Sequence, residues 1–84
     1  MTPQEAAKAI IEVLKASGVA SDVYASMNAL ADDLIDAGMD LDEIEEGLTI
    51  GFENGWFDLL DGFISVTSMG ESFYWSSLSD RIVH

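Results

Sequence analysis

"DLDEIEEGLTIGFENGWF", residues 40–57, decides how the chain is read. Asp40 is followed three positions on by Glu43, the spacing of a capping box in which each side chain satisfies a free backbone N–H at a helix start. Leu41, Ile44, Leu48 and Phe52 recur with helical period and form the expected buried stripe of that helix. Asn54-Gly55 ends it, because both residues tolerate the left-handed backbone that closes a helix. The stretch holds six acidic residues and not one Lys or Arg.

Working outward, Thr2-Pro3-Gln4-Glu5 sets a capping hydroxyl, a Pro at the first helical position and a Glu in capping-box spacing. Ala7, Ile10, Ile11 and Leu14 continue that helix, and Ser17-Gly18 ends it. Ser21 is the expected cap of a second helix with an apolar stripe of Val23, Met27, Leu30, Ala31 and Leu34, an acidic face of Asp22, Asp32, Asp33 and Asp36, and a stop at Gly38. Beyond the quoted stretch, "WFDLLDGFISVT" has two short apolar runs around Asp61-Gly62, a dipeptide that favours a tight type I′ hairpin. Ser68 with Glu71 offers a last capping box, for a helix through "ESFYWSSL". The expected fold is mainly α with a small β-hairpin, in the order α-α-α-β-β-α, as a single domain over residues 1–84. The alternative is a small all-α bundle with residues 56–67 as a loop.

"GMDLDEIEEGLTIGFENGWF" is similar to the helix-turn-helix core of winged-helix transcription factors. Gly38 matches the turn, Ile44 and Leu48 the buried face of the recognition helix, and Gly55-Trp56-Phe57 the exit into the wing. "DGFISVTSMGESF" resembles the return strand of the wing, with Thr67 and Gly70 leading to a closing helix. The resemblance covers roughly residues 21–78 and implies a winged-helix fold. In two respects the chain departs from the pattern. The expected second helix is long, and Gly51 stands where the family carries a bulky apolar residue. Gly47 and Gly51 each cost a helix about 1 kcal/mol relative to Ala; with Gly55 they either admit the close approach of a neighbouring element or are simply tolerated.

The charge decides which activities such a scaffold can have. Three Lys and Arg against sixteen Asp and Glu give a net charge of −13, and residues 16–80 carry fourteen acids without a cation. On the winged-helix reading, Asp42, Glu45, Glu46, Thr49 and Glu53 line the face that enters the major groove, and Asp58 and Asp61 sit on the wing. Duplex binding draws its affinity from Lys and Arg neutralising phosphates, so direct nucleic-acid binding is not expected. Asp40, Asp42 and Glu43 favour the first helical turn electrostatically. Glu45, Glu46 and Glu53 gain little there, and Asp32, Asp33 and Asp36 lie in the second helix, where Asp36 meets an unfavourable C-terminal dipole.

Other function classes find little support. With no Cys, disulfides and thiolate chemistry are excluded, and the single His84 is terminal. No Ser has a nucleophile-elbow setting. Acidic residues starting at Asp36 or Asp40 break the calcium-loop series at Gly38 and Ile44, and the Asp-Ser-Leu attachment motif of acyl carrier proteins is missing. No enzyme activity, metal or cofactor is expected. No apolar run reaches the ~20 residues of a membrane span, and the N-terminus has no secretion-signal pattern, so the cytoplasm of a bacterial host cell is the expected location.

The expected function is that of an acidic, non-enzymatic inhibitor that mimics nucleic acid. Its partner would be a basic nucleic-acid-binding protein or complex, such as a CRISPR effector or a restriction enzyme, and a phage or mobile-element origin would suit it. The expected contacts are Asp32, Asp33, Asp36, Asp42, Glu45, Glu46, Glu53, Asp58 and Asp61. A different class, a winged-helix interaction module or dimeric adaptor, would use aromatic residues instead. Phe73, Tyr74 and Trp75 cannot all face inward from one helix, so Tyr74 and Trp75 are the candidates. Monomer and homodimer are both compatible with the sequence.

Overall fold

The computed structural model describes residues 2–19 and 23–82, with side chains to residue 76. Helices α1 (Pro3–Ala16), α2 (Met27–Asp36), α3 (Leu41–Glu53) and α4 (Ser68–Ile82) accompany strands β1 (Ala25–Ser26), β2 (Phe57–Leu60) and β3 (Phe63–Val66). The fold is mainly α with a small β-hairpin, and residues 57–66 pair as strands rather than forming the loop of an all-α bundle. The strands make one antiparallel sheet in the order β1-β3-β2. Among the described residues no helix is long and apolar enough to cross a membrane.

Local chemistry sets most of the boundaries. The Thr2 hydroxyl accepts from the Glu5 N–H at 3.2 Å, and Asp40 and Glu43 complete a reciprocal capping box on α3. Helices α1, α2 and α3 all end the same way. The N–H groups of Val19, Met39 and Trp56 return to the carbonyls of Leu14, Leu34 and Gly51, across a Gly with positive φ in each case. This Schellman closure needs left-handed backbone at the Gly, which a Cβ disfavours. In α1 and α2 it also brings a buried pair together, Leu14 with Val19 and Leu34 with Met39. Asp61 and Gly62 both have positive φ, the requirement of the expected type I′ turn.

Three boundaries and faces differ from expectation. The second helix starts at Met27, with Ser26 rather than Ser21 at its N-cap position; Ser21 and Asp22 lie outside the described residues. Residues 25–26 are extended because they pair with Phe63 and Ile64, adding a third strand, and Val23 is exposed instead of joining an apolar stripe. The last helix is capped one residue early. Thr67 Oγ1 accepts from the Gly70 N–H at 3.1 Å, and Glu71 turns instead to Lys15.

The buried face of α3 is the third correction. Leu41 and Phe52, expected inside, are 69% and 39% exposed, whereas Ile44, Gly47 and Gly51 are buried. The glycines set this rotation. A Cβ on Gly47 would stand 2.8 Å from the Ala6 carbonyl carbon of α1, and one on Gly51 would overlap the Phe57 ring. Close approach of α1 and of β2 thus explains both glycines in a helix that they otherwise weaken. The core between these elements is built from Ile10, Ile11 and Leu14 of α1, Leu30 and Leu34 of α2, Ile44 of α3, and Phe57, Ile64 and Val66 of the sheet.

Candidate interaction surface

Because Ile44, Gly47 and Gly51 face inward, the helical period turns Asp42, Glu45, Glu46, Thr49 and Glu53 outward. All five are exposed. With Ile50 and with Pro3 from the start of α1, they line one open depression along α3. Asp42 also borders a second depression, at the α2–α3 turn, with Ile35, Met39, Asp40 and Leu41. The four α3 carboxylates of the expected contact set are thus brought together on one face.

The remaining candidates lie on other elements. Asp32, Asp33 and Asp36 are exposed along α2, whose last turn holds no basic residue. Asp58 is exposed on β2, where its carboxylate accepts a hydrogen bond from the Tyr24 hydroxyl. Asp61 stands at the hairpin turn. The aromatic candidates separate as well. Phe73 stacks on Trp56 at 3.8 Å between centroids, and Tyr74 packs half-buried against the core. Trp75 is 53% exposed and edge-on to Tyr74.

Cations do little to offset this acidity. Lys15 Nζ donates to Glu71 at 2.9 Å and lies 5.3 Å from the Trp75 ring, so it ties α4 to α1 instead of facing the acidic helix. Lys8 is largely buried in α1, and the side chain of Arg81 lies outside the described residues. Among the described residues, Lys15–Glu71 is the one ion pair. The α3 face therefore presents hydrogen-bond acceptors with net negative charge, suited to Lys and Arg from another molecule. No group of three or more acidic or histidine side chains among the described residues is placed to hold a metal ion.

Sequence reasoning missed a set of exposed apolar side chains. Ile35 and Leu41 flank the α2–α3 turn, while Leu59, Leu60 and Phe63 surround the hairpin turn. Gly47 and Gly51 were the available signal for α3, since a stripe drawn through them leaves Leu41 and Phe52 outside. The hairpin gave no such signal: its apolar residues read equally well as core. No protein-family model, curated protein or solved structure matches the chain.

Proposed function

We propose that the protein is a non-enzymatic inhibitor that occupies the basic nucleic-acid-binding groove of a partner protein with the carboxylate face of α3. The observation that carries this reading is the single exposed row of Asp42, Glu45, Glu46 and Glu53, with Thr49 among them and no described cation beside it. At about 1.5 Å per residue, the row spans roughly 16 Å of helix axis. Its four charges therefore stand ~5.5 Å apart on average along the axis, a sparser line than the ~3.4 Å per phosphate along one strand of B-DNA. A groove shaped to neutralise one strand meets a line of the same sign at lower density. The helix order and hairpin support a winged-helix-like scaffold whose reading helix has the reversed sign. CRISPR effectors and restriction enzymes are the partner systems to try first, which places the action in the cytoplasm of a bacterial host.

The test is capture from bacterial lysate on immobilised wild-type protein and on Glu45→Gln/Glu46→Gln/Glu53→Gln. A basic nucleic-acid-binding protein should be retained by the wild type, displaced by duplex DNA and lost from the variant. Retention that ignores both DNA and the substitutions would refute the reading. A second reading, an interaction module acting through α4, is favoured by the exposure of Trp75. It predicts salt-tolerant self-association abolished by Trp75→Ala.

A further inference from the structure

The outer side of the sheet carries an apolar surface that the charge argument leaves unused. Alternation along β2 and β3 sends Asp58, Leu60, Phe63 and Ser65 to one side, and Phe57, Leu59, Ile64 and Val66 to the other. Ser65 is fully buried and Leu59 is exposed beyond the edge of the core, so the open part of the outer side is its turn end. Leu60 and Phe63 are direct cross-strand partners next to the turn, 57% and 47% exposed. The site is held in place on three sides. Ser26 of β1 pairs with Phe63, the Met27 N–H donates to the Gly62 carbonyl at 3.0 Å, and the Tyr24 hydroxyl donates to Asp58. A hairpin pinned at its turn loses little freedom when something docks on it, which favours binding.

We propose that Leu60 and Phe63 form a second contact, an apolar anchor that seats in an apolar pocket rimmed by Lys or Arg on a protein partner. The rim follows from the carboxylates beside the anchor, Asp58 on the same strand face and Asp61 in the turn. The same charge disfavours the other occupants. A second copy brings another net −13, and an anionic lipid surface repels the rim. The anchor does not depend on the reading of α3, because the two surfaces are on different elements and respond to different chemistry.

Two synthetic peptides of equal length and charge test the anchor, one alternating Lys with Leu and one alternating Lys with Ser. The wild type should bind the Lys-Leu peptide about tenfold more tightly or better, the scale expected for burying one or two large apolar side chains. Leu60→Ser/Phe63→Ser should erase that preference and leave the Lys-Ser affinity unchanged. Near-ultraviolet circular dichroism from the Trp56–Phe73 stack checks that the variant is folded. Equal affinities in the wild type, or a preference that survives the double substitution, would overturn the proposal. So would a concentration-dependent dimer in sedimentation that the double substitution dissolves, since the occupant would then be a second copy. The α3 reading is scored separately, by whether Glu45→Gln/Glu46→Gln/Glu53→Gln weakens the Lys-Ser peptide.

Discussion

At Gly51 two preferences oppose each other. Helix propensity favours Ala over Gly by about 1 kcal/mol, yet the added Cβ would overlap the Phe57 ring. Overpacking typically costs about 1–3 kcal/mol, so after the propensity gain Gly51→Ala should lower stability by a net of up to ~2 kcal/mol in chemical denaturation. Gly47→Ala should do likewise, because the nearest obstacle is the backbone of Ala6, which cannot swing aside. A gain in stability at either position would mean that α1 and β2 do not approach α3 as closely as described. Asp36 gives the opposite sign. It ends α2 with no basic residue in the last turn, so Asp36→Lys should stabilise by about 0.3–1 kcal/mol at low ionic strength. A midpoint in urea that stays fixed or falls would contradict this. A carboxylate kept at a site where it costs stability is consistent with a role in binding.

The elements divide into those legible in the sequence and those that are not. Helix ends were legible wherever a cap or a closing Gly fixed the backbone locally, as at Thr2, Asp40 and Gly55. The hairpin was legible through Asp61-Gly62. Strand β1 was not: two residues leave no alternation to read, and "YASMNAL" suits a helix until Phe63 and Ile64 supply strand partners. The outward stripe of α3 was legible as a row of charge, while the row of exposed apolar residues on the hairpin was not. Periodicity says which residues share a side of a strand, but only the extent of the core says which side stays dry. The start of α4 turns on a similar near-ambiguity. Thr67, not Ser68, bonds the first turn, so Thr67→Ala should cost about 1 kcal/mol and Ser68→Ala a few tenths at most. Equal effects in thermal unfolding would put the cap in doubt.

Across the whole molecule the dominant feature is self-repulsion. With −13 net charge and a single described ion pair, the folded state gathers carboxylates that few internal cations offset. Salt screens such repulsion over a Debye length of about 10 Å at 0.1 M, so the melting temperature should rise by several degrees between low salt and 0.5 M sodium chloride. A melting temperature that is flat or falls with salt would contradict a surface of uncompensated like charge. A basic partner would relieve the same repulsion on binding. The most direct measurement is therefore capture of a bacterial partner by the wild type and by Asp42→Asn/Glu45→Gln/Glu46→Gln/Glu53→Gln, each with and without competing duplex DNA. The α3 account predicts a basic nucleic-acid-binding protein retained by the wild type, released by DNA and by salt, and reduced at least about tenfold with the neutralised helix, a loss of ~1.4 kcal/mol or more. Undiminished capture by the neutralised helix, indifferent to DNA, would contradict it.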